Sequence, residues 1–168
     1  MRSRELSSDG RIWSNDKWTR YAFDIAGACA KMSKDPSTKC GAVIVRSNRT
    51  IAATGWNGFP RGVRDDMSLL ENRPEKYPRI IHAEMNAILS AREPLDNYTL
   101  FVGPMPPCAR CAGAIIQAGI KGVGFVAPDR LPEHWEHEMR ITADMFHQAG
   151  VALGYYGTPE SVGWPING

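Results

Sequence analysis

The sequence predicts an α/β protein, a three-layer α/β/α sandwich with a mixed five-stranded sheet between helices. Segments with apolar residues at three- and four-residue steps alternate with short β-branched runs. Gly and Pro mark the junctions between them. The first two strand-like runs follow one another directly and read as an antiparallel hairpin, whereas later strands alternate with helices. This pattern leaves the order of strands in the sheet open.

The first helix covers Asn15 to about Ala30, with Trp18, Ala22, Ile25, Ala26 and Cys29 along one face. "CGAVIV" (Cys40–Val45) is the first strand, "SNRT" supplies turn chemistry, and "TIAATG" returns as the second strand. From Gly55 to Pro78 the chain is a long polar loop rich in Gly, Pro and Arg, a length that marks functional or mobile segments. "YPRIIHAEMNAILSA" (Tyr77–Ala91) carries the second helix, with His82 at its mouth, and "NYTLFVG" (Asn97–Gly103) is the third strand. "CARCAGAIIQAG" is the third helix, stopped by Gly119 just past its last turn. "VGFVAP" is the fourth strand. A fourth helix from Pro132 to Ala149 opens on proline and closes on Gly150. "VALGYYG" is the fifth strand, and "TPESVGWPING" is a loop.

At 168 residues the chain fits one domain spanning 1–168. A net charge of +2, with basic residues scattered, argues against nucleic-acid and membrane surfaces as partners. "MRSRELSSDGRIW" lacks the apolar core of a secretory signal, and no apolar run approaches the roughly 18 residues that span a bilayer. The expected compartment is the cytoplasm, where thiols stay reduced. A close cysteine pair then reads as metal-binding or redox-active, while Cys29 and Cys40 read as core residues.

Cys108 and Cys111 stand three apart behind Pro106 and Pro107, at a helix start where both sulfurs share a face. The partial positive charge of a helix N-terminus favours the thiolate that binds metal. His82 also lies at a helix start. Two such starts facing each other bring one imidazole and two thiolates to one ion. Three protein ligands with an open position are the arrangement of catalytic zinc, whereas structural sites close with four. Glu84, two residues after His82, reaches the open face, where a carboxylate can move protons to and from water. A thioredoxin-like redox pair would need an early strand before the cysteines, and "PPCARC" lacks it. His134 and His137 share a helical face among alternating charges, which reads as a solvated surface.

"HAE" and "PCARC" match the recognised H-x-E…P-C-x-x-C signature of zinc nucleobase deaminases. More closely, the chain resembles deoxycytidylate (dCMP) deaminases of the cytidine/deoxycytidylate deaminase superfamily. The similarity runs through "SKDPSTKCGAVIV", "GWNGFPRGV", "YPRIIHAEMNAIL" and "PPCARCAGAIIQAGIKGVGF", between Ser33 and Phe125. It implies a cytidine-deaminase-like fold and one catalytic Zn²⁺ per subunit on His82, Cys108 and Cys111. Glu84 is then the proton shuttle for attack on C4, which converts dCMP to dUMP and releases ammonia. Asn57 would bond a sugar hydroxyl, and backbone at Ala83 and around Pro106 would read the base edge. Lys34 is a candidate for the phosphate by charge and position. Relatives of this kind are activated by dCTP with Mg²⁺ and inhibited by dTTP. That regulatory site is built on the loop holding Gly55, Trp56, Asn57, Gly58 and Arg61, and such enzymes are often hexamers. Some relatives carry a second zinc; Ile80, two before His82, departs from its ligand set.

Two other functions fit parts of this pattern. The same centre could act on cytosine or adenine in a nucleoside or in nucleic acid, which for polymers calls for a basic channel with stacking platforms. A non-catalytic zinc module is the other, and it would have no use for Glu84.

Overall fold

A computed structural model gives the fold over residues 17–164. The start of the first helix at Asn15, the N-terminal segment before it and the last four residues of the tail lie outside this range. The elements are α1 (Lys17–Ala30), β1 (Gly41–Val45), β2 (Ile51–Trp56), α2 (Met67–Leu70), α3 (Arg73–Arg79), α4 (Ala83–Ser90), β3 (Thr99–Gly103), α5 (Ala109–Gln117), β4 (Gly122–Phe125), α6 (Glu133–Gln148) and β5 (Ala152–Tyr155). No described helix is long and apolar enough to cross a membrane.

The five strands form one mixed sheet in the order β2-β1-β3-β4-β5. β1 pairs antiparallel with both β2 and β3, as the hairpin reading required for the first pair. β3, β4 and β5 run parallel, joined through α5 and α6. The strands are apolar on both faces because both faces are covered. Val43, Val45 and Phe101 face α1 and meet Ala22, Phe23 and Ala26, with Tyr156 and Trp164 closing that core. Their alternates Ala42, Ile44, Leu100 and Val102 face the other way, onto Ala83, Ala87, Ala112, Ile115 and Phe146 of α4, α5 and α6. This is the three-layer arrangement the sequence predicts.

α4 lies directly on β2. A Cβ at Gly55 would fall inside contact distance of the Ala83 carbonyl and the Ala87 amide, so glycine is required for the helix to seat. Gly119 and Gly150 have φ of 81° and 65° just past the ends of α5 and α6, as the sequence predicts for C′ residues.

Three segments differ from expectation. The stretch read as the Gly55–Pro78 loop contains α2 and α3. Asp66 caps α2 by accepting from the Ser68 amide, and Pro74 falls in the first turn of α3, where a missing N–H costs no helical bond. The second predicted helix is shorter than its segment, because Tyr77–Arg79 belong to α3 and Ile81 exchanges backbone bonds with Gly58 at 2.8 and 3.0 Å. The tail forms a 3₁₀ turn at Glu160–Val162, which brings Trp164 against Gly103, leaving it 5% exposed.

Candidate metal centre and its cavity

The ligand-bearing positions follow from how two helices begin. His82 is the N-cap of α4 and Cys108 the N-cap of α5, both in extended backbone conformation, and the Cys108 sulfur meets His82 as well as Cys111 one turn into α5. Cys111 lies one turn further along α5 and is buried.

His82 Nδ1 is 3.5 Å from Cys108 Sγ and 3.5 Å from Cys111 Sγ, and the three donor atoms all lie within 4.8 Å of one another. Zinc distances of about 2.3 Å to sulfur and about 2.0–2.1 Å to nitrogen, at a tetrahedral angle, give an N···S edge of about 3.6 Å. The site has that shape already. Two thiol sulfurs and an imidazole are also the donor chemistry zinc selects.

The protons are shared unequally across the set. Hydrogen bonds from the Cys111 thiol and from His82 hold the Cys108 thiol down at about 4, against the penalty of burial. The Cys108 thiolate raises Cys111 in turn, with burial adding to it. The same thiolate raises His82, through their hydrogen bond. The two thiols lie close enough to share a proton, which metal binding must release.

Glu84, in the first turn of α4, is 4% exposed. Burial pushes its carboxyl up to about 7, with His82 opposing the rise. It is a carboxylic group poised to gain or lose a proton near neutrality. Glu84 and His82 line a cavity of about 310 Å³, together with Ala83 and Pro106 at the metal end.

Asn57 also lines this cavity, and its side chain is engaged on the frame around it. Its Oδ1 accepts from the Cys40 amide at 2.8 Å, and its Nδ2 donates to the Thr38 carbonyl at 2.8 Å and to Asp35 at 3.5 Å. Cys40 packs on the core, as the sequence predicts, but it lines the cavity too. Burial and the nearby Glu84 raise its thiol. The other candidates lie elsewhere. Lys34 is outside the lining and exposed, with its ammonium 2.6 Å from Asp65. Trp56 and Arg61 are exposed, Gly58 faces open space, and none of the three lines the cavity. His134 is exposed, as its charged neighbours suggest, yet it stands on the cavity rim with Trp135; His137 instead bonds Arg140.

Asp35, Lys76, Arg73 and Trp135 also stand in the cavity wall, positions that no motif in the sequence marks. Lys76 is 4% exposed and donates to Asp35 at 3.1 Å and to Ser37 at 3.4 Å. The available signal was "RPEKYPR" running directly into the His82 segment, which places three cations next to α4.

Comparison with known proteins agrees with this geometry. The family profile described as the cytidine and deoxycytidylate deaminase zinc-binding region matches residues 16–127. A deoxycytidylate deaminase of Homo sapiens is 38% identical over 143 residues, covering 82% of this chain and 78% of that protein. An uncharacterised deaminase from the luxG 3′ region of Aliivibrio fischeri is 41% identical over 140 residues, covering 82% and 92%. Among solved structures, the dCMP deaminase of cyanophage S-TIM5 in complex with dCMP and dUMP superimposes with a TM-score of 0.68 at 26% identity, covering 86% of this chain and all of that one. With His82 and Glu84 lining the cavity, Cys108 and Cys111 at His82, and the profile spanning most of the chain, the protein belongs to the cytidine and deoxycytidylate deaminase family.

Proposed function

We propose that the protein hydrolyses dCMP to dUMP and ammonia, with Zn²⁺ held by His82, Cys108 and Cys111. The observation that carries this reading is the buried Glu84 carboxyl in a cavity lined by His82, whose imidazole meets Cys108 and Cys111 in a zinc-shaped set. Zinc bound there supplies the Lewis-acid charge that makes a water ionisable near pH 7. Glu84 takes the proton of the attacking water and returns it to the amino group leaving C4, so that water is consumed and ammonia is released. Ala83 and Pro106 present backbone to the base edge, and Asn57 bonds a sugar hydroxyl through the lone pair its frame contacts leave.

A nucleotide fits better than a nucleoside or a polymer. The cavity wall carries Lys76, a buried ammonium suited to a monophosphate, with Arg73 beside it in sequence. These two replace Lys34 as the phosphate contacts, because Lys34 is paired with Asp65 outside the cavity. The human relative is a deoxycytidylate deaminase, and the phage relative was captured with dCMP and dUMP.

The reading extends to regulation and assembly. dCTP with Mg²⁺ would activate and dTTP inhibit through the end of β2 and the loop after it, the stretch carrying Gly55, Trp56, Asn57, Gly58 and Arg61, in a cytoplasmic homo-oligomer, a hexamer by analogy with the family. Trp56, Gly58 and Arg61 lie outside the cavity, so a second nucleotide there would not compete directly with substrate. Ammonia release from dCMP, deoxycytidine and a cytosine-bearing oligonucleotide, with and without dCTP–Mg²⁺ or dTTP, tests all of this on protein of measured zinc content. Turnover of dCMP in preference to the other two is expected, and zinc-loaded protein that leaves dCMP intact overturns the proposal.

A further inference from the structure

α6 lies beyond the segment that the family profile matches, which ends at residue 127. Even so, it makes two contacts with the turn that carries the first ligand cysteine. Glu138 accepts a hydrogen bond from the Ala109 amide at 3.1 Å, and Thr142 donates from Oγ1 to the Pro107 carbonyl at 3.2 Å. Pro107 and Ala109 are the residues immediately before and after Cys108. The two α6 residues are four apart, so they stand one above the other on the same helix face.

Neither contact is one that α5 could make for itself. Ala109 opens the helix, and its N–H is among those with no intrahelical acceptor. An N-cap side chain reaches the amide of the second or third helical residue, not that of the first, so the cap at Cys108 leaves the Ala109 N–H without an acceptor in α5. Glu138 supplies the acceptor from another helix. Thr142 is fully buried, where a hydroxyl without a partner would be costly, and its bond is to the peptide on the other side of the cysteine. The chain entering and the chain leaving Cys108 are thus both tied to one rigid rod. Trp135, on the cavity rim, is three residues before Glu138 on that same rod.

We propose that Glu138 and Thr142 are positioning residues for the metal ligand Cys108. Together they fix the two peptide groups flanking it, so that its sulfur already stands at zinc-binding distance from His82 Nδ1 before metal arrives. The inference rests on reading His82, Cys108 and Cys111 as the zinc site. Partners that orient ligands in this way typically change metal affinity or activity by about 10–100-fold.

The test uses the full chain and four variants: T142V, which keeps the shape and removes the hydroxyl; E138A, which removes the acceptor; and the conservative T142S and E138Q, which keep each bond. Three quantities are read: the rate of zinc loss to excess chelator, the thiolate-to-metal charge-transfer band of the cobalt-substituted protein, and the melting temperature of the zinc-free protein. The expected result is that T142V and E138A lose zinc about 10–100-fold faster and shift the cobalt band, while T142S and E138Q stay near the parent. Zinc-free melting temperatures of T142V and E138A should fall by less than those of the zinc-loaded forms. Wild-type release rates and an unshifted band in both T142V and E138A overturn the inference while leaving the metal reading intact. So does an equal loss of melting temperature with and without zinc, since that marks a purely structural role. A parent protein that takes up no zinc overturns the metal reading and this inference together.

Discussion

Lys76 Nζ lies 3.1 Å from Asp35 Oδ1 with both side chains 5% exposed, an ion pair buried in the wall of the cavity. Removing one member of such a pair leaves an uncompensated charge and costs about 3–5 kcal/mol. Asp35→Asn is therefore expected to lower the stability of the chain by about that amount in denaturant unfolding, and the double change with Lys76→Met by less. Lys76→Met also tests substrate choice. A charge-assisted bond of about 1.5–3 kcal/mol to phosphate predicts a fall in kcat/KM that is roughly 10- to 100-fold greater for dCMP than for deoxycytidine, the smaller fall being the cost of leaving Asp35 unpaired.

Glu84→Gln separates proton transfer from metal binding. The amide keeps the volume of the carboxyl but cannot accept and return a proton, so ammonia release should fall by about 10²–10⁴-fold while zinc content remains one per chain. An active Glu84→Gln protein would remove Glu84 from the mechanism.

Cys111→Ala removes one of three ligands at distances that suit zinc. Elemental analysis after dialysis is expected to find zinc lost from this variant and kept in the parent. Chelation of the parent should abolish turnover, and added Zn²⁺ should restore it there but not in Cys111→Ala.

The zinc-free protein should carry a pH dependence set by Glu84. Its carboxyl titrates at about 7 in the folded chain against an ordinary 4.5, so between these values the folded chain holds a proton that the unfolded chain has lost. The stability this contributes is complete below about 4.5 and is lost as pH rises through about 7, a change of about 3 kcal/mol. Cys108, held down at about 4 from 9, has the opposite sign and makes the folded chain more stable as pH rises. The Glu84 contribution is isolated by subtraction. The stability of the metal-free wild type minus that of Glu84→Gln should fall from pH 4.5 to 7 and level off above, and a flat difference would contradict it.

Gly55 and Gly58 should separate cleanly. Gly55→Ala pushes a methyl group into the backbone of α4 at Ala83 and Ala87, the helix that carries Glu84 and begins at His82. A cost of about 1–3 kcal/mol is expected, with weakened zinc retention. A Cβ at Gly58 meets nothing within 4 Å, so Gly58→Ala should change stability by less than about 0.5 kcal/mol. Its effect on any response to dCTP or dTTP is then a reading of ligand contact alone.

The parts of this site that sequence shows are those written in short spacing. His82 with Glu84, and Cys108 with Cys111, each fall within one helical turn, so the identity of the residues and the start of a helix are enough to place them. Lys76 and Asp35 are 41 positions apart, and only the fold brings them together. Lys34, next to Asp35 in the chain, pairs with Asp65 outside the cavity lining, so charge and proximity in sequence do not single out Lys76. The alternation of β1 and β3 gave both cores, but strand order depends on how α5 and α6 cross the sheet. α2 and α3 were hidden because Pro and Gly in a window read as loop, although a proline in a first turn suits a helix. Trp164 looked like part of a tail, yet it closes the α1 core, a long-range contact that no local pattern carries.

Asn57 ties the approach to β1 together, its amide joined to Cys40 and Thr38 and its own carbonyl to Ser33. Any replacement there reshapes the chamber before a ligand enters it. A loss of turnover in such a variant would therefore report a collapsed entrance as readily as a missing sugar contact, and only one that keeps the 33–40 segment in place can tell the two apart.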